Sequence, residues 1–563
     1  MFLKLAVNHL STIMNTPYLY RSILVITVLF CATANVAAQK DTSKRQSIDI
    51  TSSYKPVLRT AVKTNFSAAH LLADTSRSVS AYSIPAQNLF YTYQPGSLKP
   101  LALQQDTMLE LGTRNYIKAG LGNYATPYVN AGFSFGDGKK QLVNVYADYV
   151  SSKGTIKNQE YAEMNVKGAG SFFTRNNEVY GSAAVRMQDY HLYGYDHEQF
   201  TYTKNEVLQR LQGIKIVGGM RNKELPDNGI AYDPHVEINL FSVKDKATES
   251  GLALTVPVYK TFADVFTVKM AVRADITSYS TKNIIPDNVS LSNNIFSISP
   301  ALSYTPTNNL FTVNAGITPA WDNGKLNVLP NIYGELKLAG QAFIIQAGMV
   351  GRMVKNTYQN LLMINPYLQP LSSQLNTREL EGYAGIKGIL GNHFMFSAKT
   401  SYIRYKNLPL FVSSATDQKN FVISNEAEAT NLRLHGDLNY INQDKFTITA
   451  GVTINGYTSI TDNEKAFGTL PFELNGSLRW WAFKQVLIKA DYMGFAGGAV
   501  LIPGSPTATL KGGNDLSAGV ELAINKRLSA WVDVNNLFNN KYQRWLNYPV
   551  YGLNVLGGVI FKF

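Results

Sequence analysis

Between about Asn115 and Phe563, apolar and polar residues alternate one by one in segment after segment, and this period of two limits the possible folds most. Phe266, Val268, Met270, Val272, Ala274 and Ile276 interleave with Thr267, Lys269, Ala271, Arg273 and Asp275. Phe446–Ile454 and Phe311–Ile317 repeat the pattern. Successive side chains of an extended chain point to opposite faces, so each segment reads as a strand with one apolar and one polar face. A soluble β-sandwich also alternates, so the pattern alone does not decide.

Three further features decide it. The segments run to roughly 10–14 residues, whereas sandwich strands are usually about 5–6 and a tilted membrane strand needs about 9–11. Some 22 of them, about as many as a wide outer-membrane barrel holds, fit between Asn115 and Phe563. Their connections are expected to alternate strictly, short turns such as Gly136-Asp137-Gly138 and Asn525-Lys526-Arg527 against long stretches such as Gln188–Leu211, Ser278–Asn293, Met353–Glu379, Lys406–Thr430 and Asn536–Gly552. Asn222–Tyr232 is the one exception, a turn of moderate length where a short one belongs. The fold class expected is therefore all-β: a transmembrane antiparallel barrel with short periplasmic turns and long extracellular loops. Lipid offers no partner to a strand edge, so such a sheet closes on itself.

Composition agrees. Only 16% of residues are charged, and the chain is rich in Gly and Tyr. That is well below the roughly 25% charged content of soluble domains. Inward charge is tolerated where it meets water, and Asp148, Lys269, Arg273, Asp275, Lys489, Asp491, Glu521 and Asp533 all fall on the polar face. Tyr149, Trp480, Tyr492 and Trp531 stand near strand ends as candidates for an interfacial girdle, although two of the four fall on the inward face in this register.

The first 114 residues divide in two. Residues 22–34 form a short apolar run behind Arg21, followed by Val36-Ala37-Ala38. This reads as a Sec signal peptide, residues 1–38, cleaved after Ala38, with Met14 rather than Met1 as the better start. Cleavage removes Cys31, the only cysteine, so no thiol chemistry or disulfide is expected afterwards. Residues 39–114 are extended and Pro-punctuated, with Lys55-Pro56, Ile84-Pro85, Gln94-Pro95 and Lys99-Pro100. Their apolar content, including Val57, Leu58, Phe90 and Tyr93, exceeds that of a linker. Such a segment suits recognition by a groove or by strand addition, so a periplasmic or surface partner is expected to engage residues 39–103.

The last residues carry the most specific signal. Gly558, Phe561 and the terminal Phe563 resemble the terminal strand signal read by the barrel-assembly machinery, although Leu556 stands where a polar residue is expected. Upstream, Val534, Asn536, Leu537, Phe538, Asn539 and Tyr542 fit a Val-x-Asn-Leu-Phe-Asn-x-x-Tyr pattern. This resembles the penultimate strand and last loop of TonB-dependent receptors, and the texture is similar to that of their Bacteroidota members. The resemblance covers roughly Asn115–Phe563 and implies an outer-membrane transport barrel. Family members carry a plug of about 130–150 residues ahead of the barrel, which makes wide barrels tight. Residues 39–114 are too few for it and hold no TonB box.

No catalytic, cofactor or metal site is expected. His191 and His197 share a loop with Asp189, Asp196 and Glu198, but at no recognised ligand spacing. HExxH and phosphate-loop patterns are lacking, so the chain does not read as an enzyme. The net charge of +13 is scattered rather than patched, which argues against nucleic acid and fits loops facing outer-membrane lipid and lipopolysaccharide. Transport across the outer membrane, completed by a partner or narrowed by inward-folded loops such as Met353–Glu379, is the leading expectation. A non-conducting structural subunit of an envelope complex is the alternative, and a passive diffusion porin is the third.

Overall fold

The computed structural model describes residues 115–224, 226, 228–282, 288–340, 342–391, 393–442 and 445–563. The signal peptide, residues 1–38, and the extended stretch, residues 39–114, lie outside the described residues.

Alternation becomes geometry along Phe266–Thr281. Phe266, Val268, Met270 and Ile276 are exposed on one face, while Lys269 and Asp275 lie on the other among polar partners. An exposed apolar row is costly in water, and here it repeats on strand after strand. Lipid is the solvent in which that face is stable.

Each long strand pairs antiparallel with the next, and the last, Asn554–Lys562, pairs with the first, Tyr116–Gly122. The result is a closed barrel of 22 strands, as expected. A three-residue piece, Ile230–Tyr232, continues His235–Val243 across Asp233 and Pro234. This accounts for the connection near Asn222–Tyr232, part of which is strand.

The seam is tight. Gly120 faces Gly558, and a Cβ on Gly558 would lie 1.9 Å from the Ala119 carbonyl oxygen. On Gly120 it would lie 2.4 Å from the Trp531 ring. Trp531 is buried against Leu556 and Ile560, so it is not part of an interfacial girdle. Lys118 Nζ lies 4.1 Å from the centre of that ring and 3.4 Å from Asp533. Leu556 sits at its unexpected place because it packs beneath Trp531. Phe561 and Phe563 are exposed, with stacked rings 5.6 Å apart.

Strict alternation of the connections is corrected. On the rim that carries the long loops, three connections are tight turns: residues 123–125, 244–246 and 323–324. Tyr124, Ala125, Asp245 and Asn323 take positive φ there, which closes the hairpins within a few residues. Lys406–Thr430 is corrected as well, being mostly strand. Phe394–Ser413 and Phe421–Asn442 stay paired far past the barrel wall, and residues 414–420 alone form the loop. Their tips, 408–413 and 421–424, are largely apolar, and pairing with the partner strand keeps them extended.

Candidate functional site: a chamber beneath a loop lid

The loop rim does not stand open. Residues 192–207, 355–376 and 536–553 fold over it and share one hydrophobic core with the tips of Phe394–Ser413 and Phe421–Asn442. Three tyrosines lock the loops together. The rings of Tyr367 and Tyr548 stack at 3.5 Å, and Tyr193 packs edge-on against both, at 6.1 and 4.8 Å. The Tyr193 hydroxyl donates to the Pro549 carbonyl at 2.9 Å, and the Tyr548 hydroxyl donates to that of Lys419. Gly194 is required beside them, since a Cβ there would lie 2.3 Å from the Tyr548 ring. Trp545 wedges between Phe411 and Phe421. Burial pushes the Tyr193 phenol up to about 12 and those of Tyr367 and Tyr548 well above the ordinary value, so all three stay protonated at ordinary pH.

A short helix, Tyr358–Ile364, forms the underside of the lid. Thr357 caps it by accepting from the Asn360 N–H at 3.1 Å. Tyr358, Leu361 and Leu362 lie one turn apart on its buried face. Its first free N–H groups, those of Tyr358 and Gln359, donate to Glu249 on the barrel wall at 2.7 and 3.2 Å. A side chain on a strand thus fixes the position of a loop.

Beneath the helix lies a cavity of about 590 Å³ within the barrel. Glu237, Glu249, Asp275, Glu379 and Glu473 line it against Arg273, Arg352, Lys355, Arg433 and Arg544. Charges this confined are stable only when paired. Arg352 bonds Glu379, Lys355 bonds Asp275, and Arg433 donates to Asn455 and Tyr405 at 3.0 and 3.2 Å. Lys355 descends from the lid; burial lowers its affinity for a proton while Asp275 opposes that effect. The chamber therefore mixes apolar side chains with five acidic and five basic residues.

The sequence-assigned charges fall into separate groups. Arg273 and Asp275 line the chamber, 2.9 Å apart. Lys489 and Asp533 approach to 3.8 Å near the seam, Asp491 takes a double bond from Arg479, and Glu521 meets Lys562 at 3.6 Å. Asp148 accepts from Asn165, and Lys269 reaches Asn314. The structure does not gather these eight residues into one site.

The Val534–Tyr542 motif holds the last loop. Asn536 takes positive φ, and its side chain donates to the carbonyls of Asn540 and Tyr551 and accepts from the Asn540 N–H. Asn539 also takes positive φ and accepts from the Leu553 N–H, and Tyr542 donates to Asp515. Leu537 and Phe538 are exposed, and Val534 sits within the barrel wall. His191 and His197 each bond a backbone carbonyl, and no group able to hold a metal ion occurs among the described residues. The tyrosine lock was not foreseen. Its only trace in the sequence is the density of tyrosine in three loops far apart along the chain.

Solved structures share this architecture. The siderophore receptor PirA from Acinetobacter baumannii matches with a TM-score of 0.61 at 10% identity, over 80% of each chain. The FrpB iron transporter from Neisseria meningitidis matches with a TM-score of 0.61 at 11% identity, over 80% of this chain and 82% of that one. The fold is that of an outer-membrane receptor barrel. A mutant of the ferric enterobactin receptor PfeA from Pseudomonas aeruginosa adds a TM-score of 0.57 at 14% identity, over 80% of each chain. No protein-family model matches the chain, and no curated protein does. At these identities the likeness to receptor barrels is one of fold.

Proposed function

We propose that this chain is an outer-membrane, receptor-like transport barrel whose outer mouth is closed by its own loops and whose passage is completed by a partner protein. The loop rim faces outward and the turn rim faces the periplasm. The observation that carries the reading is the lid: a buried tyrosine lock above a chamber lined by five acidic and five basic residues. A wide barrel leaks unless something fills or covers it. In this reading the loops supply the outer seal, and residues 39–103 reach the partner. The fold shared with iron and siderophore receptors supports transport of a cargo taken from outside.

Two measurements test this. In planar bilayers the purified chain is expected to carry no steady current, and Tyr548→Ala is expected to open it. Truncating a buried aromatic costs about 3–5 kcal/mol, enough to loosen the lid. Steady current from the unaltered protein would overturn the lid and favour a diffusion porin. In a pull-down from native outer membranes, deletion of residues 39–103 is expected to release a stoichiometric partner.

The extent of the lid core also favours a second reading, a non-conducting platform within an envelope complex. Gln418 and Asn547, bonded at 3.1 Å across two loops, allow a cysteine pair that staples the lid. Loss of cell growth or uptake on oxidation, reversed by reductant, is expected for transport. No effect, with the complex intact, would favour the platform.

A further inference from the structure

The outer face of three neighbouring strands changes character over two adjacent levels. Along Phe394–Ser413 the residues opposite the buried Ile403 and Tyr405 are Phe394, Phe396, Ala398, Thr400 and Tyr402, then Arg404 and Lys406. The paired strands repeat the change. Leu390 and Ile386 on one side, and Leu438, Leu434 and Leu432 on the other, share the apolar levels. Tyr402 and Leu432, directly paired at the last of these, are 55% and 60% exposed. One level further Arg404 faces Leu380 and Thr430, and the next places Lys406 between Arg378 and Glu428.

Three cations thus meet one carboxylate on this face. Lys406 Nζ lies 2.9 Å from Glu428, whereas Arg404 reaches it only at 4.0 Å. Asp462, on the next loop, accepts from the Ala427 N–H beyond the cluster. Nearby Glu426 is buried and takes the N–H groups of Thr461, Asp462 and Asn463. Another rim cation, Arg210, shows the contrast: Asp189 holds it in a double bond at 2.7 and 2.6 Å, leaving no surplus charge.

Height decides what the surplus meets. A tilted strand crosses the hydrocarbon layer in about 9–11 residues. Phe394 begins its strand at the turn rim, so Arg404 stands about ten residues along it, where acyl chains give way to headgroups. Guanidinium groups bind phosphate through two parallel donors, and such bonds strengthen next to a low-dielectric layer.

We propose that Arg378, Arg404 and Lys406 form a binding site for the phosphorylated sugar headgroup of an outer-leaflet glycolipid, with Tyr402 and Leu432 lying against its acyl chains. This rests on the outer-membrane reading above and adds a defined lipid partner to it. The site takes the lipid from the barrel exterior and is independent of the chamber.

The test is native mass spectrometry of the full chain in mild detergent, titrated with bisphosphorylated lipid A, its dephosphorylated form, or phosphatidylglycerol. The unaltered chain is expected to retain one bisphosphorylated lipid A in preference to both others. Arg404→Ala with Lys406→Ala is expected to weaken retention at least tenfold, Arg404→Lys with Lys406 intact much less, and Lys445→Ala at the opposite rim not at all. Heat-modifiable migration on gels verifies that every variant is a closed barrel. Equal retention of the dephosphorylated form or of phosphatidylglycerol would overturn the proposal, as would full retention by the double variant. The bilayer current and the partner pull-down are read without added glycolipid, so either proposal can fail while the other stands.

Discussion

Gly558 shows how a residue read as an address also serves as a joint. Its pairing with Gly120 brings two backbones together where the barrel closes, and a Cβ there would meet the Ala119 carbonyl. Gly558→Val is therefore expected to leave the strands formed but the seam open. Loss of the heat-modifiable band, with the protein recovered in aggregates or degraded, is the expected readout. Normal migration of the variant would mean that the seam relaxes around the side chain. Phe561, exposed on the outer face, has no such contact, so its loss is expected to spare closure once assembled. The alternation around the seam was legible in the sequence. The packing of Leu556 against Trp531 was not, because it joins two strands.

At the level of elements, strands were easier to read than loops. Phe394–Ser413 and Phe421–Asn442 run on into a stretch read as loop, yet pairing with each other keeps them extended. The last loop is held by a motif that could be read, Asn536 above all. Its side chain makes three hydrogen bonds to backbone groups, and two of these close the turn at Asn540. Asn536→Ala leaves buried backbone groups unpaired, at about 1–3 kcal/mol each before relaxation. Amide exchange over residues 537–553 is expected to quicken at least tenfold while exchange in the strands stays unchanged. Equal exchange would assign the loop's order to Tyr548 and the lid core instead.

For the whole molecule, the lid couples distant parts of the chain through burial, and one titratable group reports on it. Lys246, in a tight turn beside the lid, donates to Gln209 at 2.9 Å, and burial pushes its pKa down to about 8. Below that value the amine is charged in both the packed and the opened loop, so its burial costs the packed state a constant amount. Between about 8 and the ordinary value of 10.5, the opened loop still holds the proton while the packed loop has lost it. Lid stability is therefore expected to rise with pH across that window. Protection of residues 192–207, corrected for intrinsic exchange, is expected to increase from pH 7.5 to 9.5 and to become flat in Lys246→Met. A fall in protection over that range would assign the controlling titration to another group.

The alternation in segments such as Phe266–Thr281, together with their number and spacing, was enough for the sequence to determine a closed barrel, its polar interior and its apolar exterior. Each of these follows from a local rule, the two faces of a strand and the absence of hydrogen-bond partners in lipid. Tertiary structure alone decided which connections shrank to turns and which apparent loop was strand. It also decided that Tyr193, Tyr367 and Tyr548, more than 350 residues apart at the extremes, meet in one lock. Such contacts carry no period and no spacing along the chain. They arise only when closure of the barrel brings separate hairpin ends to one rim, where their aromatic side chains can leave water together.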